Sequence, residues 1–322
     1  MMWKKCITAL AYAAAILSIP AQADTPFPSK PVRIIVPQTP GGASDALARI
    51  ASQKLSAKWG QPVIVENRPG AGGNIGLDYV AAAPADGHTL LMTYVGTQAI
   101  NGSLYKKLSF DPVNDFSTVA TIATLPFVLV SRNNAPFNNV PELVNTARQH
   151  RITFGSAGNG SVNHLLGEMF NADAQLKLVH IPYKGAAPAL QDLLSGQIDL
   201  VFTSLPSVAG QLRGGNLRAI AVTSAQRAKA FAQIPSIAES GFPDFKISPR
   251  FGLVSPKNTP IHIVKKINSD VNELLQLPEV ASGFEAIGAE PYASTPEAFA
   301  QQLRADAQRW GDVVQRSGAK LD

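Results

Sequence analysis

Cysteine is almost missing from this chain: one occurs among 322 residues. It is Cys6, inside the N-terminal apolar stretch, so the chain beyond residue 23 can close no disulfide and must rely on burial for its stability. Excess charge is missing too. The sequence carries 28 basic and 23 acidic residues, and setting aside Lys4 and Lys5 leaves 26 against 23, a net charge of +3. So small an excess, with no basic stripe, excludes a nucleic-acid reader. Past residue 23 there is no run of about 18 consecutive apolar residues, so nothing there reads as a membrane span. Catalytic signatures are absent as well. There is no G-x-S-x-G, no G-x-x-x-x-G-K-[ST], no H-E-x-x-H and no Cys/His cluster at metal spacing, so neither metal nor cofactor is expected. The run Gly70 to Gly76 approaches a dinucleotide fingerprint, but its third glycine falls one position late and no strand runs directly into it.

What is present begins with an export signal. Lys4 and Lys5 form a basic start, Ile7 to Ile19 an apolar segment broken by Pro20, and Ala21-Gln22-Ala23 a small-x-small cleavage site. Cleavage after Ala23 and release into the periplasm are expected. Cys6 precedes the apolar segment, which argues against a lipid-modified cysteine at the new N-terminus.

The 299 residues after residue 23 suffice for two cores. Apolar, β-branched runs alternate with helical patterns, the signature of an α/β fold with parallel sheets covered by helices. Strands are expected at Val32–Val36, Val63–Val65, Thr89–Met92, Phe127–Val130, Ile152–Phe154, Leu178–Ile181, Leu200–Phe202 and Ala219–Val222. A helix from about Ser44 to Lys58 places Leu47, Ile50, Ala51 and Leu55 on one face and stops at Gly60. Beyond Arg250 the chain is short of strands, with long helices at Ile261–Leu277 and Pro296–Ser317. Such a tail needs a sheet to pack on. One discontinuous domain, residues 24–125 and 225–322, is therefore expected around an inserted one, residues 126–224, with a cleft between them.

Four glycine-bearing junctions precede helix starts: Pro40-Gly41-Gly42-Ala43-Ser44, Pro69-Gly70-Ala71-Gly72-Gly73-Asn74, Gly155-Ser156-Ala157-Gly158-Asn159-Gly160-Ser161 and Tyr183-Lys184-Gly185. The first amides of a helix have no partner within it, and glycine lets an anion approach them closely. Two junctions on each side would make an anion cleft without an arginine clamp. Ser44, Asn74, Thr93, Ser156, Ser161 and Ser204 are the hydroxyl and amide side chains expected around it, although Ser44 and Ser161 could instead cap their own helices. Two rival readings are an exported hydrolase or lyase that uses Ser161 and His164, and a structural module with no small ligand. His164 shows no acidic partner at useful spacing.

These junctions, with Glu66-Asn67-Arg68 before the second and Ser195-Gly196-Gln197-Ile198-Asp199 after the fourth, resemble the Bug-type solute receptors of the tripartite tricarboxylate transporters. The likeness runs through Ser255-Pro256-Lys257-Asn258-Thr259-Pro260 to Thr295-Pro296-Glu297. It implies a two-lobed periplasmic binding protein, type II-like, closing on an extracytoplasmic carboxylate. The loops matching Pro40 to Ser44 and Pro69 to Asn74 would hold one carboxylate through backbone donors and waters. Those matching Ser156 to Ser161 and Tyr183 to Gly185 would choose the rest of the ligand. A monomer that delivers its solute to membrane permease subunits is implied. Two positions depart from the resemblance: Gln38-Thr39 stands where an aromatic is usual, and Arg250 where a tryptophan is. Two readings stand side by side: both changes make the pocket more polar and suit a ligand with a second anionic or strongly hydrogen-bonding group, or Arg250 lies on the rim in solvent.

Overall fold

The computed structural model describes residues 27–319. Two mixed sheets organise it. The first has strand order β11-β4-β10-β3-β1-β2, from β1 (Val32–Val36), β2 (Val63–Asn67), β3 (Thr89–Tyr94), β4 (Phe116–Thr124), β10 (Arg250–Pro256) and β11 (Glu290–Pro291). The second runs β7-β6-β8-β5-β9, from β5 (Phe127–Arg132), β6 (Thr153–Ser156), β7 (Val179–Pro182), β8 (Leu200–Ser204) and β9 (Leu217–Val222).

Neither sheet is wholly parallel, which corrects the expectation from sequence. β1 pairs in parallel with β2 and β3, but β10 lies antiparallel between β3 and β4, with Phe251 opposite Tyr94 and Arg250 opposite Thr124. In the second sheet β5 runs antiparallel to both β8 and β9. The antiparallel strands are the ones next to the passages between sheets. The chain leaves the first sheet through Leu125-Pro126 and returns before Arg250, so both crossing strands enter against the local direction.

Helices follow the apolar patterns. In α1 (Ala43–Trp59), Leu47, Ala48, Ala51 and Leu55 are buried, each leucine contributing about 1.5–3 kcal/mol. Its end is fixed by Gly60, at φ 63°, whose N–H returns to Ser56. The strand-to-helix junctions lead into α2 (Asn74–Ala81), α3 (Val95–Leu104), α5 (Val162–Ala174), α6 (Ala186–Ser195) and α7 (Leu205–Arg213); α4 (Val140–Gln149) precedes β6. The expected helix at 261–277 divides into α8 (Ile261–Leu274) and α9 (Pro278–Ala286), because Pro278 opens a new helix. The last, α10 (Pro296–Ser317), packs along α3 and reaches α5, so it touches elements of both sheets.

The crossings are laced together. Leu125 N–H donates to Pro249 O at 3.1 Å, and Ile247 N–H to Thr223 O at 2.7 Å. Thr223 Oγ1 adds a bond to Ile247 O at 2.8 Å. Among the described residues no helix is long and apolar enough to cross a membrane. The expected export signal and its cleavage site lie outside the described residues.

Candidate functional site

A cavity of about 480 Å³ opens between the sheets. On the first-sheet side it is walled by the turn after β1 (Pro37, Gln38, Thr39), the glycine turn after β2 (Pro69, Gly70, Gly72, Gly73), and the start and inner face of α3 (Tyr94, Gly96, Thr97, Asn101, Leu104, Tyr105). The second-sheet side supplies the loop and helix start from Ala157 to Asn163. Among the described residues no charged side chain lines it.

The glycine turn has the form it has because each position excludes a side chain. Gly70, Gly72 and Gly73 all have positive φ, at 128°, 64° and 96°. A Cβ on Gly72 would collide with the Tyr105 hydroxyl, and one on Gly73 with the Thr97 methyl. Asn101 ties the acceptors back: its Nδ2 donates to Gly72 O at 3.0 Å and to Asn74 Oδ1 at 2.8 Å. Oxygens that would repel an anion are thereby spent inside the wall. The Gly72 N–H has no protein partner among the described residues.

The start of α3 is a second donor edge. No side chain caps it, so its first-turn amides keep their partial positive charge toward the cavity. Thr97 Oγ1 closes on Tyr94 O at 2.7 Å, while Thr93 Oγ1, just before the helix, is buried without a partner. Tyr94 stacks on Phe251, ring centroids 5.1 Å apart. Burial pushes the phenols of Tyr94 and Tyr105 up, so both remain neutral donors across the physiological range. Gln38 Oε1 is likewise buried without a partner.

Of the residues singled out from sequence, Gln38, Gly72, Gly73, Ala157 and Ser161 line this cavity, and Asn74 stands directly behind it on Asn101. The others lie elsewhere for identifiable reasons. In the turn Pro40-Gly41-Gly42, the Gly41 N–H is taken by Asp45 Oδ2 at 3.1 Å, and Ser44 is buried in the first turn of α1 without capping it. The Arg49 guanidinium bonded to Asp45 holds that carboxyl below its usual range. Ser156 and Gly158 sit in the loop that walls the cavity but bond to each other, Gly158 N–H donating to Ser156 Oγ at 3.0 Å. Tyr183 donates to Asp192 Oδ2 at 2.7 Å, and burial together with that bond pushes its phenol up to about 12. Lys184 is exposed, Gly185 begins α6, and Ser204 Oγ pairs with Ser207 Oγ at 2.6 Å. Arg250 lines a separate cavity of about 260 Å³ with Lys246, Gln302, Asp306 and Arg309, its guanidinium 5.0 Å from the Tyr292 ring centroid.

Sequence reasoning missed Tyr94, Gly96, Thr97, Asn101, Leu104 and Tyr105. The signal was there in a weaker form: an apolar run ending at Thr93-Tyr94 and passing straight into a helix, with Gly96 but no glycine doublet to mark the junction.

The chemistry of a hydrolase is not assembled. Ser161 Oγ caps α5 by accepting His164 N–H at 3.3 Å and donates to Gly158 O at 2.7 Å; the His164 ring faces elsewhere. That ring does have an acidic neighbour, against the expectation from spacing: Glu168, one helical turn on, comes within 3.6 Å of Nε2. Ser156 Oγ meets His180 Nε2 at 2.6 Å, but Ser156 is fully buried, out of reach of a substrate.

Comparison with known proteins agrees with this geometry. A sequence model described as the tripartite tricarboxylate transporter family receptor matches residues 47–319. The structure of Rpa4515 from R. palustris, solved with adipate, is 35% identical and superposes with a TM-score of 0.81, over 92% of this chain and 100% of that one. The periplasmic binding protein BugD is 32% identical with a TM-score of 0.76, covering 91% and 99%. MatC from Rhodopseudomonas palustris, solved with bound malate, is 31% identical with a TM-score of 0.76, covering 89% and 100%.

Proposed function

Because the chain belongs to the tripartite tricarboxylate transporter family of receptors, we propose that it is a periplasmic receptor that takes a small carboxylate into the cavity between its sheets. It is a binding protein and not an enzyme. The observation that carries the reading is the uncharged cavity of about 480 Å³ edged by the Gly70–Gly73 turn and the uncapped start of α3. Micromolar binding requires about 8 kcal/mol, and each hydrogen bond to a charged group contributes about 1.5–3 kcal/mol, with about 0.3–1 kcal/mol from each helix terminus. Four or five neutral donors therefore suffice without a cation. The Gly72 N–H and the first-turn amides of Gly96 and Thr97 would hold one carboxylate, with the Tyr94 and Tyr105 phenols as further donors, while Gly73, whose own N–H closes on Gly70 O at 2.9 Å, would shape the turn. Gln38, Ala157, Ser161, Asn159 and Asn163 would face the remainder.

The two lobes of this reading are residues 24–125 with 225–322, and residues 126–224, closing about the laced crossings. The receptor would act as a monomer, leave the inner membrane after cleavage behind Ala23, and hand its solute to membrane permease subunits. The adipate and malate held by the neighbours support small aliphatic diacids as first trials.

A thermal-shift screen of mono-, di- and tricarboxylic acids tests the proposal. The expected result is a melting temperature that climbs with the concentration of one acid class, about 2.7 kcal/mol of stabilisation at a hundredfold excess over Kd, with the acid recovered unchanged by mass spectrometry. No shift with any acid, or a chemical product, would overturn it.

A further inference from the structure

Behind the second-sheet wall lies a pair of rings that the binding reading does not use. His164, 5% exposed, stacks on His180 with ring centroids 3.8 Å apart and planes 20° from parallel, and Phe154 packs beside both. Each ring reaches one point of the loop that walls the cavity. Gly160 N–H donates to His164 Nδ1 at 3.1 Å. Ser156 Oγ meets His180 Nε2 at 2.6 Å and accepts Gly158 N–H at 3.0 Å. Gly158 and Gly160 have positive φ, 116° and 73°, so the loop has little stiffness of its own and owes its path to these bonds.

The bond from Gly160 also fixes a charge state. An imidazole nitrogen that accepts a hydrogen bond carries no proton, whereas an imidazolium donates from both nitrogens. With Nδ1 accepting, the His164 proton resides on Nε2, toward Glu168 at 3.6 Å. A second proton would set donor against donor at Gly160 and a cation against the neighbouring imidazole. Loop path and neutral ring are thus one state.

We propose that the stacked His164–His180 pair is the positioning element of the second-sheet wall, and that protonating it frees the 156–161 loop and weakens ligand capture. The first half stands on the geometry alone; the second rests on the binding reading above.

The groups facing the pair are few. Glu168 on the same helix lies 3.6 Å from His164 Nε2, and Arg316 of α10 shares a surface pocket with Glu168. Ser156 from β6 and the two rings themselves complete the set. Burial first, and the His164 ring second, hold His180 down to about 4. A free imidazole takes its proton near pH ~6.5. The neutral arrangement is therefore at full strength above about pH 6.5 and is lost as pH falls toward 4.

The test measures amide hydrogen exchange of residues 156–161 in the ligand-free full chain, together with adipate and malate titrations, for the wild type, His164→Asn and His164→Leu. Asparagine offers Oδ1 where histidine offers Nδ1 and cannot take a proton; leucine offers nothing. In the wild type, loop protection, corrected for intrinsic rate, should fall about tenfold from pH 7 to pH 4.5, the scale of one lost hydrogen bond. His164→Asn should keep the neutral-pH protection, and its acid sensitivity should shrink to the part that His180 carries. His164→Leu should exchange about tenfold faster already at pH 7 and bind either acid about tenfold more weakly. Equal exchange in all three proteins, or an asparagine variant as acid-sensitive as the wild type, overturns the proposal. Loop changes with unaltered affinity overturn its second half. If neither acid binds the wild type, the choice of ligand has failed, and the exchange arm by itself decides the role of the pair.

Discussion

Two glycine-rich loops face each other across the cavity, Gly70 to Asn74 on one side and Gly155 to Ser161 on the other, and they spend their amides in opposite ways. In the first, Asn101 takes up the acceptors Gly72 O and Asn74 Oδ1, while the Gly72 N–H stays without a protein partner among the described residues. In the second, Gly158, Gly160 and Ser161 direct their N–H groups to Ser156 Oγ, His164 Nδ1 and Gly158 O. The first loop closes the Gly73 N–H on Gly70 O and leaves that of Gly72 open; the second ties three of its N–H groups to its own serine, histidine and carbonyl. Similar glycine content thus serves, in the proposed reading, an anion cradle on one side of the cavity and a largely self-bonded wall on the other. The serines and the histidine, not the glycines, decide which.

The largest effect in breaking this contrast is expected on the cradle. Gly73→Ala forces a side chain into φ 96° and onto the Thr97 methyl, so it should cost the folded protein about 2–4 kcal/mol and abolish measurable binding, read by denaturant melts and calorimetry. Asn101→Asp removes the donor from Gly72 O and Asn74 Oδ1 and adds a negative charge beside the cavity. Affinity should drop about 30- to 100-fold, equivalent to about 2–3 kcal/mol, and the melting temperature should fall as well, because the new carboxylate is buried against two oxygens. On the opposite wall, Ser161→Ala deletes the cap of α5 and the bond to Gly158 O. It should lower stability by about 1 kcal/mol and affinity only about threefold, since that loop retains its other bonds. Tyr105→Phe removes one neutral donor, about 1 kcal/mol or fivefold in Kd with unchanged stability. Arg250→Ala, in its separate cavity with Asp306, should leave affinity for every acid within about twofold, inside the range of a substitution away from the site.

The sequence made some of this legible and concealed the rest for physical reasons. β1 and α10 could be read to the residue, the first as an unbroken β-branched run and the second from a Thr295-Pro296 start and a Gly318 stop. β4 and β10 could not. Phe116–Thr124 alternates threonines with alanines and carries little hydrophobic contrast, and Arg250–Pro256 is interrupted by Gly252, which is needed there because Ala120 O and Phe299 approach it closely. Their antiparallel pairing has no local trace at all, since it follows from where the chain crosses between sheets. At the site, glycine doublets pointed to the Gly70–Gly73 turn. Glycine before a helix start pointed equally to Gly41-Gly42 and Gly185, where Asp45 has claimed the Gly41 amide in the one and the helix start lies away from the cavity in the other. The α3 edge was hidden because it presents to the cavity only the Tyr94 ring and bare first-turn amides, a pattern that any strand-to-helix passage could share.

A wall without formal charge has a further consequence, in brine and in fresh water alike. Mobile ions weaken attraction between groups separated by about a Debye length, roughly 8 Å at physiological ionic strength, and cannot slip between partners already in contact. In the proposed site, amide dipoles and phenol hydroxyls would hold an acid at hydrogen-bond range, so its grip should scarcely depend on the salinity of the surrounding fluid.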